Sequence, residues 1–436
     1  MNPPASGGAA ALRSKSVAND AWIRDERILN PMSTRSSVRL ADRWMIRLPL
    51  AGVTFVSKIG APGLAALGIS FAIPFIYLGA ALGVISKRLV IDVGRLIAFL
   101  MMGATLWLMQ LVQGSPFSTA SLLMLCALHF PCVLGGRARI GGFERAWAAF
   151  RLLVTILACC GIAQYLLQFV IGSKLAFPMD NLVPDVMRVV GFNGQGWLSY
   201  GSTTYRANGV FMLEASFFSQ ILAIAIVGEF VQKRPGWARL ALFAVATLVS
   251  YSGTGMMSIV VCFPVWVIRR RRWDIAVVAI AGLALLWALV ISGLAEGTPL
   301  ALMASRVTEF SSTRSSGFAR FVGGFFLFEQ YLWPDPWRTL FGFGAGSFLN
   351  YSYQAQFAAH GMALFKMVFE FGIVGAAAYF SFVAYCFATS QAPVELCVAI
   401  FVAMMIQNYI PFAHGMAFAL LMWSSPSRAF FSRNRA

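Results

Sequence analysis

Long apolar runs separated by short polar stretches cover most of the chain. Many of these runs are roughly 18–25 residues long, which is the length that a helix needs to cross the hydrocarbon core of a bilayer. The runs are continuous rather than alternating, and this favours helices over the strands of a membrane barrel. The predicted spans are 45–86 (two helices, broken near Lys58, Gly60 and Pro62), 94–113, 117–135, 146–171, 209–231, 238–252, 255–268, 274–293, 361–388, 394–411 and about 413–425. The pattern therefore predicts an all-α polytopic membrane protein with about twelve transmembrane helices.

Two longer polar intervals, 172–208 and 294–359, separate groups of predicted spans. A basic stretch, 1–43, precedes the first span, and 428–436 follows the last one. We therefore expect one membrane domain, 44–427, between two tails, with the two intervals forming long loops of that domain.

Composition narrows the class of protein further. Hydrophobic residues make up 59% of the 436 positions and charged residues only 12%, whereas soluble globular proteins average about 25% charged residues. So few charges leave too little polar surface to cover a water-soluble body. The composition thus excludes a cytosolic enzyme, a disulfide-rich secreted domain and an intrinsically disordered protein.

The positive charges lie mainly in alternate loops between the predicted spans. The net charge is +17, and clusters such as Lys87-Arg88, Lys233-Arg234 and the four arginines of 269–272 lie in such loops. Cytoplasmic loops carry an excess of Lys and Arg. This distribution places both termini in the cytoplasm and both long intervals on the outer side of the membrane, and it argues against nucleic acid as a partner.

Metal and disulfide chemistry find no support in the sequence. The seven cysteines all lie in apolar segments, without a Cys-x-x-Cys motif or the Cys/His spacing of a metal site. Neither long interval contains an Asp-x-Asp motif for a divalent ion. The sequence therefore predicts no metal site, no cofactor and no disulfide framework.

Arginines in or beside the outer intervals run against the charge rule, and the candidates among them are Arg206, Arg306, Arg314 and Arg320. Positive charge on the far side of a membrane opposes the insertion bias, so each arginine needs a reason to be there. One reason is a salt bridge to an acidic residue nearby. The other is an anion site, since a guanidinium matches phosphate oxygens and stays charged at any pH.

The second interval is aromatic and rich in glycine. Residues 317–332 are amphipathic, and we expect a helix that lies at the outer interface of the membrane, where Trp and Tyr are favoured. A Pro- and Gly-rich turn follows. There, Gly342 and Gly344 would either bring backbone amides close to a phosphate or serve as a simple chain reversal.

His360 stands at the predicted outer mouth of the span 361–388, beside this aromatic interval. It is the best-placed residue for a general base or for orienting an acceptor, with an ordinary interfacial histidine as the alternative. His129 lies inside a span, and we expect it to be a packed or hydrogen-bonded core residue.

Three further charged residues are expected to be paired. Lys366 and Glu370 lie four positions apart within a predicted span, where ionisable groups are costly unless they pair. Glu214 follows Arg206 in the chain, and we expect it to hold that arginine or one from the second interval.

At these residues the chain resembles the Wzy/O-antigen ligase superfamily, which consists of polytopic glycosyltransferases of the GT-C type. The resemblance covers about 200–375 and rests on the order and spacing of its motifs. These motifs are Arg206-x-x-Gly209 before a span, an outward interval with arginines that ends in Leu340-Phe341-Gly342-x-Gly344, and His360 followed by Glu370-x-Gly372-x-x-Gly375. Within the superfamily the chain looks most like the polymerases of exopolysaccharides of the xanthan type.

The resemblance implies a metal-independent polymerase at the periplasmic face of a bacterial inner membrane. It would join oligosaccharide repeat units carried on undecaprenyl pyrophosphate, with membrane lipids and a chain-length-control or export protein as further partners. By position in the motifs, His360, Arg320 and Arg206 correspond to the residues that carry activity in the relatives. The expected site is completed by Arg314, Arg306, Gly342 and Gly344 as ligands of pyrophosphate or glycan, and by Glu214, Lys366 and Glu370 as supporting residues.

Two other functions stay open. An O-antigen-type ligase would use the same donor with a different acceptor, although Gly361-Met362-Ala363 stands here where ligases usually have a small polar residue. A transporter or flippase of lipid-linked oligosaccharide would line its path with charges along several spans, whereas the outward charges of this chain gather at one face.

Overall fold

The computed structural model describes residues 43–60, 70–137, 142–189, 196–198, 202–232, 234–294, 311–313, 315–355, 357, 359–390, 392–407 and 411–424. The expectations for the two tails and for Arg306 and Arg314 lie outside these residues.

The chain up to residue 187 contributes seven helices and two short strands to the described part. In order they are α1 (43–51, continued by a π-helical turn Gly52–Val56), α2 (Ala72–Ile85), β1 (Leu89–Ile91), α3 (Val93–Val112), α4 (Thr119–His129, continued by a 3-10 turn Phe130–Val133), β2 (Leu134–Gly136), α5 (Gly142–Ile171), α6 (Ser173–Ala176) and α7 (Pro178–Leu182), followed by a 3-10 turn Asp185–Met187.

The longer regular elements of the remaining described residues are all helices. In order they are α8 (Ala215–Val231), α9 (Trp237–Ser250), α10 (Gly253–Arg270), α11 (Trp273–Ile291), α12 (Ser316–Phe321), α13 (Gly323–Leu327, continued by a π-helical turn Phe328–Leu332), α14 (Pro336–Phe341), α15 (Ser347–Gln354), α16 (Ala363–Ala388), α17 (Val394–Gln407) and α18 (Pro411–Met416, continued by a π-helical turn Ala417–Met422).

The helical architecture predicted from the apolar runs is confirmed for the described residues, with one small addition. Strands β1 and β2 pair antiparallel, with Leu89 opposite Gly136 and Ile91 opposite Leu134. Both strands lie in segments predicted to face the cytoplasm, so this ribbon joins two inner loops.

Four helices, α3, α5, α11 and α16, are long and apolar enough to cross a membrane. Six shorter apolar helices accompany them in the described residues: α2, α4, α8, α9, α17 and α18. Helices therefore occupy the predicted spans, while the number of about twelve crossings and their orientation stay predictions.

The expected interfacial helix 317–332 is present as a kinked succession rather than one rod. Ser315 caps α12 by accepting the Phe318 amide, and Val322 separates α12 from α13. The turn that follows was expected to be irregular, but Asp335 caps a further short helix there, α14, through the amides of Trp337 and Arg338. A prolyl residue at the first helical position suits this start.

Helix α8 is the centre of the fold. Every residue from Ser216 to Glu229 is buried, and α5, α9, α10 and α17 pack around it. A helix that is apolar on all sides must be enclosed, either by neighbouring helices or by lipid. The beginning of α8 is thus held in place by its neighbours, and this anchors Glu214, which directly precedes the helix.

Helix α11 is the opposite case, since none of its residues is buried. Val278 is 72% exposed and Ile291 70%. An apolar helix with all faces uncovered would be unfavourable in water, whereas hydrocarbon removes that cost. Its exposure therefore favours the membrane environment that the composition predicts.

Helix α16 is broken at Gly372. This residue has φ 67° and ψ −177°, a conformation that essentially only glycine adopts. The carbonyls of Phe369 and Glu370 accept hydrogen bonds from the amides of Phe343 and Gly344, both at 2.9 Å. Backbone groups released by the break are thus satisfied from within the protein, as an apolar environment requires.

The segment that fills the break is the glycine loop, residues 342–346. On its other side the Ala345 amide donates to Gln110 Oε1 of α3 at 2.7 Å, and the Ala345 carbonyl accepts from the Ser118 amide at 2.8 Å. The glycine loop therefore lies between α16, α3 and the start of α4, and it joins these elements through backbone hydrogen bonds.

Replacing Gly372 with alanine should destabilise the fold by at least about 1–3 kcal/mol, the usual cost of one residue held in such a backbone region. A Cβ at this position would also overlap the carbonyl oxygen of Leu340. Thermal unfolding of the purified protein in detergent measures the effect. Gly282→Ala in α11 is the matched control, because no atom lies near its added Cβ; equal unfolding temperatures for the two variants would contradict the described break.

Candidate functional site

An ion pair joins the second interval to the beginning of the central helix. Arg320, in the last turn of α12, donates from Nη2 to Glu214 Oε2 at 2.9 Å. The side chains are only 20% and 14% exposed, so water screens this pair less than an ordinary surface pair. Ser216 Oγ donates to the same carboxylate oxygen at 3.0 Å. Glu214 thus holds an arginine of the second interval, which is one of the two pairings that the sequence allowed.

His360 lies directly beside this pair. Its backbone amide donates to the carbonyl of Ala319, the neighbour of Arg320, at 2.7 Å. The imidazole is accessible, yet surrounding protein lowers the pKa of His360 below the ordinary 6.5, the Arg320 cation lowers it further, and the Glu214 carboxylate acts in the opposite direction. The structure thus brings together Glu214, Arg320 and His360, which are far apart in sequence, and burial and the neighbouring cation both favour the neutral imidazole.

Arg206 belongs to an extended segment that α5 holds in place. Gln168 accepts from the Tyr205 amide at 2.8 Å and donates to the Tyr205 carbonyl at 3.1 Å. Gln164 accepts from the Asn208 amide and donates to Asn208 Oδ1, both at 3.0 Å. The two glutamines are buried and one turn apart on α5. We call this arrangement the glutamine clamp; Arg206 stands between its two anchor points.

The glutamine clamp was missed in the sequence analysis, although a signal exists. Two glutamines four positions apart in a 30-residue apolar helix are costly in hydrocarbon unless their amides are satisfied. That spacing puts both on one face, where they offer donors and acceptors to an extended strand.

Lys58 was also missed, because the sequence analysis treated it only as part of a helix break. It is 4% exposed, and its Nζ donates to the carbonyl of Val210 at 3.3 Å. Val210 and the preceding Gly209 both have positive φ, 69° and 67°. A buried ammonium thus supports a bent piece of backbone between Arg206 and Glu214.

The amides of Gly342 and Gly344 are hydrogen-bonded within the protein. Gly342 N–H donates to the Arg338 carbonyl at 2.7 Å and Gly344 N–H to the Glu370 carbonyl at 2.9 Å. These contacts favour the chain reversal that the sequence also allowed, while a part in phosphate or glycan binding stays a prediction. A Cβ at Gly342 would meet the backbone of Glu370, which explains the glycine physically.

Lys366 and Glu370 form the expected pair within α16, with Nζ and Oε1 3.7 Å apart. Both are buried, and their place beside the break in α16 indicates a supporting role.

His129 is buried as expected: it lies 2.9 Å from the Leu125 carbonyl, 3.1 Å from the Tyr379 hydroxyl and 3.1 Å from His414 Nε2. Among the described residues, no group of three or more His, Cys, Asp or Glu could hold a metal ion.

A substitution in the glutamine clamp should impair the site without removing any charge. We expect Gln168→Ala to lower the unfolding temperature and the activity together. The amide and the carbonyl of Tyr205 would both lose their hydrogen-bond partner, and leaving a buried polar group unsatisfied costs about 1–3 kcal/mol. Gln168→Glu keeps the hydrogen-bond acceptor but loses the donor, so its unfolding temperature and activity should fall between those of the wild type and Gln168→Ala. Gln232, whose side chain contacts Arg151 on the predicted inner side, is the matched control. Wild-type behaviour of Gln168→Ala would contradict the clamp.

Comparison of the chain with models of protein families gives no match, and comparison with curated protein sequences gives none either. The fold and site thus define a helical protein with candidate membrane spans, in which an arginine, a glutamate and a histidine from three distant segments meet.

Proposed function

We propose that the protein is a membrane polymerase that joins oligosaccharide repeat units, each carried on undecaprenyl pyrophosphate, into a xanthan-like exopolysaccharide at the periplasmic face of a bacterial inner membrane. The observation that carries the proposal is the meeting of Arg320, Glu214 and His360. This cluster combines a fixed cation for a departing phosphate with an accessible, mostly neutral imidazole for an attacking hydroxyl.

The reaction assigns a separate task to each group. A sugar hydroxyl of the acceptor attacks the anomeric carbon of the donor glycan, and the bond from that carbon to the pyrophosphate oxygen breaks. The leaving lipid pyrophosphate keeps the electron pair, so negative charge grows where the guanidinium groups of Arg320 and Arg206 stabilise it. The hydroxyl proton passes to His360 or is oriented by it.

Glu214 acts through Arg320 rather than on the substrate. Arg320 carries five N–H groups, and the contact with Glu214 uses one of them at a fixed distance. A guanidinium oriented in advance stabilises developing charge without reorganising during the reaction. This arrangement supports transfer without a metal ion.

The break in α16 bears on one of the two alternative functions, a transporter or flippase of lipid-linked oligosaccharide. In transporters, broken helices expose backbone groups to a substrate near the middle of the membrane. Here the carbonyls at the break bond to Phe343 and Gly344, and the adjacent charges, Lys366 and Glu370, pair with each other. Because the polar groups at the break already have partners within the protein, the break favours a structural role, and the polymerase is the better proposal.

The decisive experiment uses the purified protein in lipid nanodiscs, with lipid-linked oligosaccharides extracted from the producing cells as both donor and acceptor. We expect a ladder of longer lipid-linked glycans and release of undecaprenyl pyrophosphate, in EDTA as well as in magnesium. With lipid A added as a second acceptor, transfer to it instead of elongation would indicate the ligase. In a parallel reconstitution into sealed vesicles, movement of the oligosaccharide across the membrane without elongation would indicate the flippase and refute the polymerase.

The proposal also requires the cluster to face the periplasm. We expect cysteines introduced at Asp185 and Ser312 to react with an impermeant maleimide in intact cells whose outer membrane has been permeabilised. A cysteine in the Arg269–Arg272 loop is the control, and it should react only after lysis. Protection of both outer positions in intact cells would place the cluster away from its substrate.

A further inference from the structure

A second concave surface lies beside the segment that carries Arg206. It is a cavity of about 570 Å³ between the start of α6 and the two short extended pieces 196–198 and 202–206. Its size falls within the range of about 300–1,000 Å³ typical of small-molecule sites. Its lining includes Trp197 and Tyr205 together with Ser173, Lys174, Ser202 and Thr203.

The two aromatic side chains share one face of a short antiparallel ribbon. Trp197 is paired with Tyr205, and backbone hydrogen bonds of 2.9 Å flank the pair, from the Leu198 amide to Thr204 and from the Arg206 amide to Gly196. Residues opposite each other between such bonds are a closely spaced pair whose side chains point to the same side. Two rings thus line one wall of the cavity.

Residues outside the cavity hold its lining residues in position. The backbone of Tyr205 is bonded in both directions to Gln168 of the glutamine clamp, and its ring packs against Phe177 with centroids 5.5 Å apart. Ser173 Oγ donates to the Thr203 carbonyl at 2.9 Å, which ties the start of α6 to the ribbon. Trp197 nevertheless stays 53% exposed, so a large ring faces the opening of a pre-organised cavity.

Rings beside hydroxyl groups match the chemistry of a sugar. The C–H face of a pyranose packs on an aromatic ring, while its hydroxyl groups exchange hydrogen bonds with serine, threonine and lysine side chains. An aromatic residue that only anchors the protein in the headgroup zone needs an exposed ring, but not a concave site lined with hydroxyl groups. The lining therefore favours a saccharide over a lipid headgroup.

We infer that this cavity, which we name the Trp197 pocket, binds the saccharide part of the lipid-linked repeat unit at a distance from the reacting bond. The inference rests on the proposed polymerase function. Successive side chains of an extended strand point to opposite sides, so Arg206 and the Tyr205 ring face away from each other. A glycan would thus rest on one side of the ribbon while the pyrophosphate is held on the other.

The test separates binding in the Trp197 pocket from catalysis. In the nanodisc assay we expect Trp197→Ala to raise KM for the lipid-linked oligosaccharide about 10-fold, the effect of losing one stacking aromatic contact, with kcat nearly unchanged. Trp197→Phe should keep most of the affinity, and Thr203→Val should show a smaller increase in KM. Trp237→Ala is the matched control, because Trp237 is also exposed, at 71%, but lies away from this surface.

A binding measurement without turnover distinguishes failure of the inference from failure of the proposed function. The probe is the free oligosaccharide released by mild acid from the same lipid-linked material, followed by saturation-transfer NMR with wild type and Trp197→Ala. Loss of the transfer signal in the variant supports the Trp197 pocket even if wild type makes no polymer, a result that would refute the polymerase alone. Unchanged KM and an unchanged signal overturn the inference, as would a Trp197-dependent signal from undecaprenyl phosphate but not from the sugar.

Discussion

Replacing Arg320 with alanine should stop polymer formation while the protein still accumulates in the membrane. Removing one fixed donor from a developing negative charge costs roughly 3–4 kcal/mol, or about 10²–10³ in rate. Arg320→Lys should also be impaired, because an ammonium lacks the planar fork of donors. The measurement is the rate of elongation in nanodiscs, with kcat and KM determined separately.

Two controls show whether the loss reflects chemistry or folding. The double variant Arg320→Glu/Glu214→Arg reverses the ion pair of 2.9 Å; it should recover thermal stability but not elongation. Arg188→Ala removes an exposed arginine from another ion pair of the first interval, with Asp185 at 3.1 Å, and should leave both quantities unchanged. Full activity of the reversed pair would mean that Arg320 serves only to hold α12 against α8.

Replacing His360 with alanine should reduce elongation by about 10²–10⁴, the usual contribution of a general base. Single repeat units on their lipid should then accumulate in the cells. His414→Ala is the contrasting variant, since His414 is buried beside His129 and its loss should lower only stability. Near-normal elongation by His360→Gln with an unaltered pH profile would exclude base catalysis, while an orienting hydrogen bond would survive that result.

We expect two substitutions beside His360 to move the pH at which activity falls in opposite directions. Burial and the Arg320 cation lower the pKa of His360, and Glu214 opposes them. The neutral imidazole is the active form, so activity should fall on acidification below pH 6.5 in the wild type. Arg320→Gln removes the cation and should raise the pKa of His360, moving the fall in residual activity to higher pH. Glu214→Gln should do the reverse, and histidine-selective NMR reads both shifts directly because the chain has only three histidines.

The apolar pattern predicts the helices well because burial in hydrocarbon depends on composition over a long window. The span expected at 94–113 is helix Val93–Val112, and 274–293 is Trp273–Ile291. It fails where the backbone deviates locally. Phe371-Gly372-Ile373 is as apolar as any helix interior, so nothing in its composition signals the break; that depends on a partner loop some thirty residues earlier.

Individual residues of the candidate site can be selected from the sequence, but their arrangement in space cannot. Arg320 could be selected because positive charge in an outer loop is unusual, and His360 because it stands at the predicted mouth of a span, yet their position beside Glu214 is a long-range feature of packing. The two readings of Gly342 and Gly344 could not be separated for the same reason: the sequence indicates a tight turn, while only the fold shows that this turn packs against α16. Lys58 lies inside an apolar run and is predicted only as part of a helix break, while the two glutamines of the clamp lie inside the apolar run 146–171 and carry no prediction of their own.

The sequence separations of these contacts set an order in which a nascent chain can complete them. The bond between Gln168 and Tyr205 spans 37 residues and that between Gln164 and Asn208 spans 44, whereas the bond between Arg320 and Glu214 spans 106. A ribosome adds about 5–20 residues per second, so Arg320 is made roughly 5–20 s after Glu214. The extended segment can therefore bind to α5 during insertion, before Arg320 has been translated. The contact between Arg320 and Glu214 then forms beside a segment that α5 already holds.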